Sequence, residues 1–257
     1  MERCQAPEKP VIKGESPVLR GRGSPFEFAE GVEMGKNLEN VKKEVLSTII
    51  SAAILYRDNL LNTKILFVFE TGGRKYKILQ TEFRSHHFAH LTGAVLTPPK
   101  STSPPRPALT PIQFFEKATA HSLSIDDFWM AADNSTYLKS QVIIELMKIY
   151  TTAKMVGDYD ESRPLLYTDK IVGNVRGCMG FVQQSTSSPY WVPNTLLNVP
   201  ARDVVRSTHR LMATYQKRGK DILYSHMLQL AKPLKWQEVR WGDDIDSLID
   251  LENLHFR

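Results

Sequence analysis

"KILFVFETGGRKYKILQTEFRSHHFAHLTGAVL", residues 64–96, carries the change of period on which the fold turns. Two β-rich apolar runs, 64–70 and 75–83, flank Thr71, Gly72, Gly73 and Arg74. Short runs on either side of a Gly-Gly turn predict a β-hairpin. Directly after it, His86, His87 and His90 crowd against Leu-Thr-Gly. Such a stretch is compatible with a metal site, an acid–base site, or only the passage from a strand into a helix.

Working outward, the pattern upstream is helical. Val41, Val45, Ile49, Ala52, Ala53 and Tyr56 recur at helical spacing from Asn37 to about Asn62. Residues 1–35 are rich in Pro, Gly and Glu without periodicity and read as a disordered leader. Downstream, residues 97–111 hold six prolines, an extended surface loop. Helices are predicted at 112–121, 125–131 and 136–153, the last with Leu138, Val142, Ile143, Leu146, Ile149 and Tyr150 on one face. Strands follow in 164–169, 170–184 and 190–198. "ARDVVRSTHRLMATYQKR" (201–218) reads as a helix with Val204, Val205, Thr208, Leu211, Met212 and Tyr215 inward, and 221–232 as a further helix. The predicted class is α+β: an antiparallel sheet, an N-terminal helix and interspersed helices.

Charge divides the chain further. The net +5 is a mean over residues 1–34 at −1, residues 242–257 at −4, and a body at +10. A basic body suits a polyanionic partner such as nucleic acid. The acidic end, "GDDIDSLIDLENLHF", spaces Ile245, Leu248, Ile249 and Glu252 helically: a solvated terminal helix, or one docked on the basic body as a mimic of nucleic-acid charge. The organisation expected is a leader at 1–35, one domain at 36–241 and an acidic tail at 242–257. Two cysteines, Cys4 and Cys178, exclude a disulfide framework and a cysteine-built zinc site. With no long apolar run and no signal-peptide pattern, the expectation is a reduced, cytoplasmic protein without a membrane span.

Two histidines at helical spacing are a weak metal signal, because zinc needs a third protein ligand and the one nearby acid is Glu82. Acid–base chemistry on RNA needs less. The 2′-hydroxyl is a built-in nucleophile, so one positioned base, one acid and donors around a phosphate suffice. His90 titrates in the useful range, Thr92 offers a hydroxyl, and Gly93 lets backbone approach a phosphate. The structural alternative makes His90 a core histidine and Leu-Thr-Gly an element boundary. Lys139 lies three residues after Thr136, a possible helix cap. Asn194 and Thr195 follow a proline in "VPNTLL", as turn residues or phosphate donors. Arg206, Arg210, Lys217 and Arg218 line the predicted helix at 201–218, with Tyr224 shortly after, as a solvated face or a phosphate-contacting one. No P-loop, dinucleotide fingerprint or nucleophile elbow is present.

Beyond single residues, the order of segments resembles a known family. "YKILQTEFRSHHFAHLTGAV", "FFEKATAHSLSIDDF", "TYLKSQVIIELMKI", "DKIVGNVRGCMGF", "YWVPNTLLN" and "YQKRGKDILYSHMLQLAK" together resemble the fourth, phage-associated group of barnase–EndoU–colicin–RelE-like nucleases, over about residues 38–235. "HFAHLTG" is the most specific element. In "YWVPNTLL" a threonine stands where the family more often has serine, which keeps the hydroxyl. The resemblance implies a barnase/RelE-like core and a metal-independent, cofactor-free, toxin-like ribonuclease of phages or mobile elements. Its RNA would be structured, such as tRNA or ribosome-bound message, with an immunity or host defence protein as a further partner. Carried over by position, His90 is base or acid, Lys139 or Lys217 steadies phosphate charge, Thr92 or Thr195 donates hydrogen bonds, and Asn194 and Tyr224 complete the set. A competing reading is a nuclease-like fold that only sequesters a nucleic acid, nucleotide or host protein. An ADP-ribosyl transferase ranks last, since no matching glutamate motif follows the His-x-Thr.

Overall fold

The computed structural model describes residues 32–99, 107–162 and 166–256, with side chains from Asn37 onward. The chain divides into a unit of residues 1–38 and a larger unit, Glu39–Arg257. Of the expected leader, residues 1–31 lie outside the described residues and 32–35 open the first helix instead; of the proline-rich loop, residues 100–106 lie outside as well.

Helix α1 (Val32–Asn59) buries the stripe Val45, Ile49, Ala52, Ala53 and Tyr56. Asn62, with a positive φ of 56°, turns the chain out of the helix. Strands β1 (Thr63–Glu70) and β2 (Tyr76–Glu82) then pair antiparallel from Lys64↔Glu82 to Glu70↔Tyr76. Gly72, Gly73 and Arg74 all carry positive φ in the connection, which is why the two glycines stand there. Next come α2 (His87–Thr92), α3 (Pro111–Thr119), α4 (Ser135–Leu146) and α5 (Ile149–Thr152). The rest is β3 (Met155–Asp158), β4 (Lys170–Gly173), β5 (Cys178–Gln183), β6 (Tyr190–Leu197), β7 (His209–Arg218), β8 (His226–Leu230), the single turn α6 (Asp243–Asp246) and β9 (His255–Phe256).

The sheet runs β1-β2-β6-β5-β4-β3-β7-β8-β9, and β7 also pairs with β1. Seven strands therefore close into a hydrogen-bonded ring, with β8 and β9 extending from β7. Pairing is mostly antiparallel; β2–β6 and β8–β9 are parallel. One face packs under the helices: Phe67, Leu79, Met179, Phe181 and Leu196 join the α1 stripe with Phe88, Phe114, Phe115 and Ile143. The other face carries Leu66, Val68, Met212 and Tyr215, covered by Trp241, Ile245 and Ile249. The α+β class is as expected, with a large and mostly antiparallel sheet.

Several sequence expectations are corrected. Residues 201–218 are not a helix. A 3-10 turn (Ala201–Asp203) leads irregularly into β7, and every residue from Leu211 to Lys217 is buried. A strand packed on both faces reads as a continuous run, and such a run mimics helical spacing. The predicted helix at 221–232 is likewise the neighbouring strand β8. Residues 125–131 form turns that end in a bridge from Trp129 to Val95. The predicted helix at 136–153 is broken at Met147–Lys148, and Leu138, expected inward, is 46% exposed. Leu166–Asp169 is irregular rather than a strand. In the acidic tail only Asp243–Asp246 is helical, and Ile245 and Ile249 are buried against the sheet. A solvated helix is therefore excluded for the tail.

Candidate active site

Strand β1 alternates Lys64, Leu66 and Val68 onto the tail-covered face, and pairing sets Lys64 directly opposite Lys217 of β7. Each ammonium lies 4.4 Å from a tyrosine ring centroid: Lys64 over Tyr190 and Lys217 over Tyr224. The Tyr224 hydroxyl donates to Gln80 Oε1 at 3.0 Å, and burial pushes the phenol pKa well up, with Tyr190 adding to the effect. Lys217 is buried and donates to the Ile222 carbonyl at 2.7 Å. Glu82 faces Lys64 from the other side, but its carboxylate is held by Arg84 Nη2 at 3.0 Å. Among the described residues, neither lysine has a carboxylate partner. Two like charges directly opposed across a sheet repel by about 0.2–1 kcal/mol, so the pair does not stabilise the sheet.

Five residues beyond Glu82 the chain reaches His87, the first histidine of α2. Arg84 N donates to His87 Nδ1 at 3.1 Å, while His87 Nε2 is buried without a partner. Burial, with smaller contributions from His86, Arg84 and His90, lowers the His87 pKa to about 3, so this ring is neutral. His90 is exposed on the last turn. Lys139 of α4 donates from Nζ to the His90 carbonyl at 3.0 Å. The His90 pKa is lowered by desolvation first, then by the Lys139 charge and His86. That of Lys139 is lowered by burial, against the opposing pull of Asp133. Gly93 closes the helix at φ 67°, where a Cβ would stand 3.0 Å from Lys139 Cδ. Any side chain here is strained by the left-handed backbone and crowds Lys139, which favours glycine between α2 and α4.

Other expected residues have packing partners. Thr92 is buried, donating to the Ala89 carbonyl at 2.8 Å and accepting from Ala94 N at 3.1 Å. Thr136 is not a helix cap of the expected kind: its hydroxyl ties the Gly93 carbonyl (2.7 Å) to Ala131 N (2.9 Å). Asn194, where the β5–β6 register shifts, donates to the Tyr167 carbonyl. Thr195 is buried opposite Gly180. Arg206 pairs with Glu161 at 3.1 Å, Arg210 donates to the Lys232 carbonyl, and Arg218 Nη2 to the Asp58 carbonyl at 3.3 Å. Because β7 is a strand, Arg210 and Arg218 stand about 26 Å apart and form no common basic face.

The structure thus brings His90 to Lys139 and Lys217 to Tyr224. His90 and Lys139 belong to helices packed on one face, whereas Lys217 and Tyr224 lie with the other, tail-covered face at the end of the sheet where β1 begins and β2 and β7 finish. It is also the end toward which β6, parallel to β2, carries Asn194 and Thr195. Sequence reasoning missed Lys64, Gln80 and Tyr190. Lys64 was findable: it is the lone cation on the β1 face that alternates Lys64, Leu66, Val68 and Glu70. Among the described residues no group of three or more His, Cys, Asp or Glu is placed to hold a metal, and no helix is long and apolar enough to cross a membrane.

No curated protein and no solved structure matches the chain. A family model does, from residue 48 to residue 232, and the matched span includes β1, β2, the α2 histidines, α4, β6 and β7, the elements that carry these groups. The chain belongs to the phage-Barnase-EndoU-ColicinE5/D-RelE like nuclease 4 family, and its substrate class is accordingly nucleic acid.

Proposed function

We propose that the protein is an endoribonuclease that cuts RNA without a metal, at the lysine-rich end of the sheet. The observation that carries this reading is the opposed pair Lys64–Lys217, each ammonium seated on a tyrosine and neither neutralised by a carboxylate among the described residues. A phosphodiester placed there meets two positive charges where negative charge grows during reaction. Tyr224, its pKa raised, remains a phenol and a hydrogen-bond donor at neutral pH. The ribose 2′-oxygen attacks phosphorus, a base takes its proton, and the 5′-oxygen leaves with a proton from an acid. The products are a 2′,3′-cyclic phosphate and a 5′-hydroxyl. His90, held unprotonated at neutral pH by its lowered pKa, suits the base.

A second reading has its own support. The Lys217 ammonium and the Thr92 hydroxyl are both engaged by backbone carbonyls, as in a fold that binds without cutting. Incubating the protein with cellular RNA in EDTA separates the two. Cleavage leaving cyclic-phosphate ends, lost in Lys64→Ala and Lys217→Ala and reduced in His90→Ala, is the result expected of the nuclease. RNA bound but never cut by the folded protein favours the binding module.

A further inference from the structure

A second concave site opens at the hairpin end of the same sheet. Phe69 at the end of β1, Lys77 at the start of β2 and His209 at the start of β7 line a cleft with Asp158 and Lys170 of the β3–β4 pair. A neighbouring cleft shares Asp158 and Lys170 and continues over Trp191, Gln183 and Thr168 to Asp169, with Glu161 and Arg206 at its rim. Strands far apart in the sheet order contribute to one cleft because the strands close into a ring. Phe69 stands five positions along β1 from Lys64, about 17 Å, whereas Trp191 adjoins Tyr190, the ring under Lys64, so the two clefts run from the hairpin end of the sheet toward the lysine pair.

Its charges are sorted by position. Lys170 is anchored by Asp158, with its ammonium 5.6 Å from the Trp191 ring centroid, and Arg206 is tied to Glu161 at 3.1 Å. Those four groups cancel one another. Uncancelled are Lys77, exposed and with no carboxylate partner among the described residues, beside the His209 imidazole. In the neighbouring cleft Asp169 is exposed and has no cationic partner among the described residues, with the Gln183 amide and Thr168 hydroxyl nearby. One cleft is cationic, and its neighbour carries both an aromatic ring and a carboxylate. A nucleotide has the matching groups: a phosphate, a π face and a base edge carrying an exocyclic amine, which a carboxylate accepts from.

We propose that these adjoining clefts form a nucleotide subsite that holds one residue of the RNA away from the cut. The phosphate lies on Lys77 and His209, and an amine-bearing base lies against Trp191 with its amine toward Asp169. The assignment rests on the RNA-cleaving reading above.

The test uses the full chain and a 12-nucleotide 2′-O-methyl oligocytidine, which binds but offers no 2′-hydroxyl for cleavage, followed by fluorescence anisotropy. Oligouridine of the same length and free cytidine monophosphate are the comparison probes. Lys77→Glu is expected to weaken the oligocytidine by about tenfold, a lost phosphate contact turned repulsive. Lys75→Glu, on the exposed hairpin connection outside the cleft, is the control and leaves affinity unchanged. Asp169→Asn is expected to remove the preference for cytidine over uridine. Lys77→Glu also lowers kcat/KM on long RNA but not on a dinucleotide. RNA that is cut while Lys77→Glu behaves like Lys75→Glu overturns the subsite. Cytidine monophosphate bound as tightly as the 12-mer overturns it as a substrate contact and makes it a site for free nucleotides. A protein that cuts nothing, yet binds the 12-mer through Lys77, sinks the nuclease reading and supports the nucleotide site.

Discussion

Lys139 reaches from α4 to the last turn of α2 and donates to the His90 carbonyl at 3.0 Å. The contact sets a cation beside the histidine that the family resemblance singles out, and it acts on that imidazole in one direction only. Positive charge nearby disfavours a second positive charge, so Lys139 holds the His90 pKa down. Lys139→Met is therefore expected to raise it, read by following the His90 ring protons through an NMR titration. Removing the hydrogen bond costs about 0.5–1.5 kcal/mol of stability as well. A His90 pKa that stays put or falls in the variant would contradict the electrostatic coupling.

His87 makes a prediction about the whole fold. Its folded pKa of about 3 lies below the ordinary value of 6.5. Between those values the unfolded chain binds the proton and the folded one does not, so stability rises with pH across that window. The contribution is fully present above 6.5 and is lost as pH falls toward 3, at most about 5 kcal/mol. Urea unfolding between pH 7 and pH 4 should show this slope, and His87→Leu should flatten it. An unchanged slope in the variant would assign the acid sensitivity to the carboxylates.

Lys64 and Lys217 separate stability from function. If their pairing is kept for an anion, relieving it helps the fold and harms the activity. Lys64→Ala is expected to leave the melting temperature unchanged or raise it, by about 0.2–1 kcal/mol of relieved repulsion. RNA cleavage in the same variant should fall on the order of 100-fold, as for one lost charge donor. Destabilisation with full activity would make Lys64 a packing residue that lies over the Tyr190 ring.

How much of this was legible differs by element. The hairpin at 64–83 showed itself because two-residue alternation and a Gly-Gly turn agree, and α1 because its stripe is long. β7 did not, because burial on both faces erases the alternation that marks a strand. Losing β7 also lost the ring closure, and with it the pairing that sets Lys64 against Lys217. His90 and Lys139 were candidates from the residues, with roles implied by the resemblance, and the structure supplies the contact between them. Thr92 illustrates the converse. Its sequence position suggested a phosphate donor, but a hydroxyl one residue before a left-handed glycine has backbone partners at hand. The cleft with Lys77 and Asp169 has no signature in sequence, since its residues come from strands spread along most of the sheet.

The acidic tail yields the last prediction, and packing decides it rather than charge. Trp241 is buried and donates from Nε1 to the Tyr215 hydroxyl at 2.8 Å, while Ile245 and Ile249 cover Leu66, Val68 and Met212. Backbone pairing continues the attachment: Tyr224 N donates to the Leu248 carbonyl at 2.8 Å, and Asp250 N to the Tyr224 carbonyl at 3.0 Å. A segment held this way is part of the core, and it clamps Tyr224, the residue that seats Lys217. A displaceable acidic lid would leave the body folded when removed; this one would strip the apolar face of β1 and β7. Trp241→Ala is expected to cost about 3–5 kcal/mol. Removing residues 242–257 should lower the urea midpoint sharply and abolish, not enhance, binding of RNA at low salt. A truncated chain that unfolds at the parent midpoint and binds RNA more tightly would restore the lid and make the negative charge, not the apolar face, the reason the tail is there.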